Sequence, residues 1–222
     1  MNPSLRTFLL VVLGLPLAII VYHTLVRIIR HFYKFPIPEF LVGLIDNPLR
    51  HKIQPPGRTA AWHGIEPGMT VLEVGPGSGT YTFAAARLIG VEGKLVTIDI
   101  EPKVINRLRE RIRAEGITNI DARTADVFEL PFDDSTFDAA YLIAVIGEIP
   151  TPERAFAEFQ RVLKPGGTLA FSELFVDPDY PLPSTLERLA RRNGFCRLQK
   201  LGNFFCYTLQ FKKEAVLHKE FA

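Results

Sequence analysis

Three glycines in VLEVGPGSGTYT, Gly75, Gly77 and Gly79, follow an apolar run and open a helical stretch. Glycines in that setting let the backbone turn tightly and approach a ligand, while the free N–H groups of the helix end receive an anionic group. A dinucleotide site prefers GxGxxG, whereas this loop reads GPGSG with Glu73 shortly ahead of it. A carboxylate there repels a pyrophosphate but holds a cationic ligand, directly or through water. A second acid, Asp99, ends the next apolar run in LVTIDIEP, where it is able to accept hydrogen bonds from both hydroxyls of a ribose. Asp126 follows the third run, in TADVFEL. Glu148, in VIGEIP, is placed to act as a base or to orient a nucleophile, its other role being that of a surface acid before the next helix.

Groups so spaced along the chain converge only if the runs that carry them end together. From Gly57 onward β-rich runs alternate with helical stretches, the pattern of a parallel sheet covered on both faces. The spacing predicts strands at Thr70–Val74, Lys94–Asp99, Asn119–Arg123, Ala139–Ile143 and Thr168–Glu173. It predicts helices at Tyr81–Ile89, Lys103–Glu115, Pro152–Leu163 and Ser184–Asn193, the third with Thr151 as N-cap. Gly194–Lys200 and Phe204–Lys212 read as a hairpin turned at Leu201-Gly202-Asn203, which sets Cys196 and Cys206 nearly opposite each other. Lys164-Pro165-Gly166-Gly167 reads as a helix end and a turn into a strand.

In order along the chain, the glycine loop, the strand-end Asp99, LPFDDSTFD (Leu130–Asp138) and RVLKPGG (Arg161–Gly167) resemble the class I S-adenosylmethionine-dependent methyltransferases over about Gly57–Phe211. The resemblance implies an α/β fold, a Rossmann-like seven-stranded doubly wound sheet with an antiparallel C-terminal hairpin, and S-adenosyl-L-methionine as cofactor. It implies that Glu73 and the loop Gly75, Pro76, Gly77, Ser78 and Gly79 face the methionine part. Asp99, with Ile100 beside it, would face the ribose, Asp126 and Val127 the adenine, and Ile143 and Ala144 the methyl-transfer side. Tyr81 either caps the methionine moiety or simply opens a helix. The expected reaction is a direct in-line displacement without metal or covalent intermediate, in which the protein aligns the reactants and excludes water. The alternative is a catalytically silent module that binds the cofactor to recruit or regulate a membrane partner.

The run from Phe8 to Val26 carries no formal charge and comes close to the roughly 20 residues that cross a bilayer as a helix. No small-residue cleavage site follows it, which argues against a signal peptide. Arg27, Arg30 and Lys34 follow it and only Arg6 precedes it, so the positive-inside rule puts the catalytic domain in the cytoplasm of a single-pass membrane protein. The chain accordingly divides into a transmembrane helix with basic flank (1–34), a connector with a short interfacial helix (35–56), the methyltransferase domain (57–212) and a polar tail (213–222). A net charge of +2, from 26 basic and 24 acidic residues, leaves no excess for a nucleic-acid binder. Two cysteines in no metal-binding spacing suggest neither a zinc site nor a disulfide framework.

No insertion large enough for a lid interrupts the chain between the fourth and fifth strands or after the fifth. The pocket roof is therefore expected from residues before Gly68, a stretch holding His51, Arg58, Trp62 and His63. Because that stretch emerges from the membrane, the expected acceptor is small and lipophilic: a phospholipid headgroup, a quinone-like ring or a hydrophobic thiol. The Asn/Asp-Pro-Pro-Tyr/Phe tetrad of amino-methylating nucleic-acid enzymes is absent after the fourth strand, where the chain reads LIAVIGEIP.

Overall fold

A computed structural model describes residues 47–214, together with 14, 17, 21, 24–26 and 28. Most of the expected membrane span, the apolar patch of the connector and the tail from 215 lie outside the described residues. Among the described residues no helix is long and apolar enough to cross a membrane.

Two short helices come first, α1 (Pro48–Ile53) and α2 (Pro56–Ala61). Then follow β1 (Thr70–Val74), α3 (Thr80–Ile89), β2 (Lys94–Asp99), α4 (Pro102–Ala114), β3 (Ile120–Thr124) and β4 (Phe137–Ile143). The chain continues through α5 (Pro152–Val162), β5 (Leu163–Leu174), α6 (Pro183–Arg192), β6 (Phe195–Gly202) and β7 (Cys206–Lys213). The strands form one seven-stranded sheet in the order β3-β2-β1-β4-β5-β7-β6. The first five pair in parallel, and β7 runs antiparallel to both β5 and β6. This is the doubly wound sheet with the C-terminal hairpin expected from the sequence. Strand order reverses between β1 and β4, and in such sheets ligands bind at the carboxyl ends flanking that switch.

Burial on both faces explains why β1 is nearly continuous in apolar residues: Val71, Leu72, Glu73 and Val74 are all buried. One face carries Leu72, Val96, Ala140 and Phe171 and is covered by α5 and α6, with Phe156 stacked on Phe171 at 5.5 Å and edge-on to Phe195 at 5.7 Å. The other face carries Val71, Leu95, Tyr141 and Ala170 under α2 and α3, with α4 beside them on Ala122.

The two signature motifs hold each other. Arg161 donates to the carbonyls of Leu130 (2.8 Å) and Phe132 (2.6 Å) and pairs with Glu158 and Asp134 at 2.7 and 3.1 Å. Lys164 pairs with Asp138 at 2.6 Å, and Asp138 also accepts from the Thr70 backbone. The turn expected at Lys164–Gly167 is present as a bulge within β5, where Leu163 pairs with Phe137 and Thr168 with Ala139 and Gly166 takes φ of 71°. Thr151 occupies the N-cap position without a side-chain capping bond, leaving Pro152 to set the helix start. The hairpin turns at 203–205, where Asn203 Oδ1 accepts from the backbone N–H groups of Phe205 and Cys206. Cys196 consequently pairs with Lys212, far from Cys206, and the two thiols are not neighbours.

Candidate functional site

The glycine loop joins β1 to α3 at the switch point. Gly75, Gly77 and Gly79 have φ of 75°, 54° and 89°, a region only glycine enters without strain. A Cβ on Gly75 would lie 2.4 Å from Val145 Cγ2, so the loop is pressed against the segment leaving β4. Gly79 is the N-cap of α3 and has no side chain to offer the helix N–H groups. Arg111 of α4 donates to the Ser78 carbonyl and lies over the Phe83 ring at 4.6 Å, pinning the outer side of the loop.

Glu73 stands behind this loop, beneath α3. It is 2% exposed and aligned across the sheet with Thr97 and Tyr141. Burial raises its pKa to about 7, against the lowering effect of the Thr82, Thr97 and Tyr141 hydroxyls around it. None of these contacts completes a well-formed hydrogen bond, since Glu73 Oε2 and all three hydroxyls lack a direct partner. Four buried polar groups thus face one another with unused bonding capacity, a setting in which a nearby cation favours the ionised carboxylate.

Asp99 ends β2 beside the loop. Its Oδ1 accepts from the Glu101 backbone at 2.9 Å, and burial raises its pKa. Ile100, next in sequence, is 59% exposed, an apolar surface unexplained by the core and suited to an adenine face. Asp126 and Val127 follow β3; Asp126 is exposed, its Oδ1 accepts from the Phe128 backbone, and Val127 packs partly into the core.

At the end of β4, Ile143 is buried and Ala144 takes φ of 56°, a left-handed conformation rare for a residue with a side chain. Such backbone persists where its surroundings enforce it, and here the Ala144 N–H donates to the Ser172 carbonyl at 2.9 Å. Glu148 is half-buried in the same loop and acts electrostatically on Glu173, a buried residue of β5 whose pKa burial raises well above the ordinary value.

Residues before Gly68 dock on this end, as expected for a roof. Tyr81 is 8% exposed and donates to the Gln54 carbonyl at 3.0 Å, with Arg50 over its ring at 5.7 Å. Its ring therefore opens α3 and also holds α1 beside the glycine loop. Arg50 also acts electrostatically on Glu173 of β5 and Cys206 of β7. His63 stacks on Tyr141 at 4.4 Å, and its Nε2 lies 2.8 Å from Ser172 Oγ, which in turn meets Thr208 at 2.7 Å. Burial lowers the His63 pKa to about 3, keeping the ring neutral. Gln54, Val145, Ser172 and Glu173 were not marked by sequence, since their roles depend on contacts between distant segments.

A loop of positive-φ glycines at a helix N-terminus, a strand-end acid, an exposed Ile100 and a strained Ala144 meet at one switch point. That set fits a ligand with an anionic end, a ribose and a flat apolar base. Comparison with known proteins agrees. The model of a methyltransferase domain matches residues 65–212. An arsenite methyltransferase of Halobacterium salinarum is 30% identical over 125 residues, which are 56% of this chain and 32% of that protein. A ubiquinone/menaquinone biosynthesis C-methyltransferase of Idiomarina loihiensis is 34% identical over 140 residues, 63% of this chain and 54% of that protein. The chain thus spans about a third to a half of the length of these curated relatives. The fold matches the crystal structure of a SAM dependent methyltransferase from Aquifex aeolicus with a TM-score of 0.75, at 21% identity over 80% of this chain and 100% of that one. With the match covering most of the chain, this protein belongs to the S-adenosyl-L-methionine-dependent methyltransferase domain family.

Proposed function

We propose that the chain transfers a methyl group from S-adenosyl-L-methionine, by in-line displacement, to a small lipophilic acceptor, from a domain tethered by residues 8–26 to the cytoplasmic side of a membrane. The observation that carries the transferase reading is the convergence of Gly75–Gly79, Asp99 and Ala144 at the switch point. Quinone biosynthesis in the name of one relative supports a ring-shaped lipophilic acceptor. The tether is supported by the uncharged run and its basic flank, and by Leu17, Val21, Leu25 and Ile28, helical residues whose apolar side chains are about half exposed or more.

The donor's sulfonium supplies a methyl already attached to a neutral leaving group. The chain therefore has to bind, align and keep out water. The loop after β1 and the start of α3 receive the carboxylate end. Asp99 accepts from the ribose hydroxyls, and Ile100 and Val127 bound the base. The Ala144–Val145 turn walls the side on which the acceptor arrives. Glu148 would take a proton from the acceptor, with the buried Glu173, whose pKa burial raises, behind it.

The test is transfer of isotope-labelled methyl from the donor by the full chain in membranes, with lipid extract and quinone precursors offered as acceptors. Label extractable into organic solvent, undiminished by chelators, is the expected result. Label found only in peptide or nucleic acid refutes the acceptor, and donor binding without any turnover identifies the silent module instead.

A further inference from the structure

The carboxyl end of the sheet carries more than the cofactor site. Because β7 runs antiparallel, Cys206 pairs with Leu174, which brings the hairpin tip to the same end as the residues leaving β5. There Phe175, Phe204 and Phe205 pack with ring centroids 5.5 Å apart, and Tyr180 joins Phe204 at 6.0 Å. Phe175 N–H donates to the Phe205 carbonyl at 2.7 Å, so the cluster is built rather than loose. Yet it turns outward: Phe205 is 62% exposed, Val176 59% and Phe204 46%. Across the same end, α1 exposes Leu49 (67%) and Ile53 (43%), one turn apart on one side of the helix.

The charges at this end sort by depth. Residues 47–65 contain no acid, and their exposed cations are Lys52 and Arg58. Beside the hairpin tip the acids are withdrawn, Glu173 and Asp177 buried and Glu148 and Asp179 half-buried, while the exposed acids of this end, Glu101, Asp126 and Glu129, follow β2 and β3 on its far side. Exposed aromatic and aliphatic side chains interleaved with cations are the composition of a surface that lies in a lipid interface. The described domain also begins at this end, at Asn47 ahead of α1, so the chain arriving from the apolar run of residues 8–26 enters beside the patch.

From these features we infer that the hairpin tip, the segment after β5 and α1 form a bilayer-docking face, which seats the mouth of the methyl-transfer site on the lipid surface. Its occupant is a bilayer with anionic headgroups, Phe204, Phe205, Val176, Leu49 and Ile53 entering the interface and the exposed Lys52 of α1 and Arg58 of α2 meeting the headgroups. The inference rests on the membrane-tether reading above and adds an orientation to it. A tether alone lets the domain tumble on its connector, whereas the docked face lets a lipophilic acceptor pass from bilayer to site without crossing water.

Trp62 is the sole tryptophan, so a Trp62→Phe background accepts a single reporter. In the full chain, Phe205→Trp places that reporter in the face, and Val91→Trp, 86% exposed at the opposite end of the sheet, serves as control. Both are reconstituted in phosphatidylcholine/phosphatidylglycerol vesicles with and without brominated acyl chains, after flotation confirms membrane association and donor titration confirms folding. Severalfold stronger bromine quenching at 205 than at 91, weakened in vesicles of phosphatidylcholine alone, is expected. Equal quenching in protein that floats overturns the docked face and leaves the tether standing. A reporter at 205 that is shielded from water but not quenched by bromine also overturns it, because protein then covers the patch. Protein that does not float removes the tether and the face together.

Discussion

Glu73→Gln isolates one buried charge behind the glycine loop. Burial lifts the Glu73 pKa from 4.5 to about 7 in the fold. A group whose folded pKa is raised holds its proton more tightly folded than unfolded, so its contribution to stability is complete below pH 4.5 and is lost as pH climbs through about 7. The gap between the two values corresponds to about 3 kcal/mol at full ionisation, of which about 2–3 kcal/mol disappears between pH 5 and pH 8. For a domain of this size that is a fall in Tm of roughly 5–10 °C. Glutamine keeps the shape and faces the hydroxyls of Thr82, Thr97 and Tyr141 with both a donor and an acceptor, but never ionises. Thermal melts of both proteins from pH 5 to pH 8 give the readout. The variant is expected to overtake the wild type as pH rises; Glu173, whose pKa is also raised, titrates in both and cancels in the difference, while Asp99, which acts electrostatically on Glu73, is relieved of that repulsion in the variant and shifts the crossing the same way. Melting curves offset by a constant amount at every pH would refute the buried-charge reasoning.

Gly75→Ala combines a positive φ with a Cβ 2.4 Å from Val145, and a loss of about 2–3 kcal/mol of stability by chemical denaturation is expected, partly restored by Val145→Ala, which clears the clash but not the φ strain. Arg161→Ala removes hydrogen bonds to two carbonyls and leaves the Glu158 charge with only the Leu130 N–H, so it should cost about 2–4 kcal/mol and, by hydrogen exchange, loosen residues 130–134 ahead of β4. His63 is held neutral with a pKa of about 3, below its ordinary 6.5, so its contribution to stability is present above pH 6.5 and is lost as pH falls toward 3. His63→Phe, which keeps a ring to stack on Tyr141, should flatten that acid limb of the stability profile while lowering stability at pH 7 by about 1 kcal/mol through loss of the His63–Ser172 hydrogen bond, Ser172 keeping its Thr208 partner.

The sheet was legible because its strands are short apolar runs bounded by glycine or acid: β1 and β2 begin and end where the sequence places them. The glycine loop and Asp99 were legible for a related reason, since a ligand that needs close backbone approach leaves glycines at fixed spacing. Pro and Gly at Lys164–Gly167 signal a turn that forms as a bulge, but the pairing of Leu163 ahead of it and the Lys164–Asp138 pair, both contacts with the distant β4, were not legible locally. Glu73 is expected to face the methionine part; its alignment with Thr97 and Tyr141 and its burial could not be read from the loop motif alone. The register shift within β6 and the Asn203 turn are invisible in composition, which is why Cys196 and Cys206 were drawn together and lie apart. Gln54, His63 and Glu173 acquire their surroundings only when α1, α2 and β5 meet, and no local pattern encodes such a meeting.

Calorimetric titration of the full chain with S-adenosyl-L-methionine, S-adenosylhomocysteine and NAD, alongside Asp99→Ala, tests the cofactor site most directly. Binding of the first two ligands and not of NAD, weakened about 10- to 100-fold in the variant by loss of the ribose hydrogen bonds, is the expected result. Binding of NAD alone, or binding of S-adenosyl-L-methionine that Asp99→Ala leaves unchanged, would contradict the site built here from the glycine loop and the end of β2.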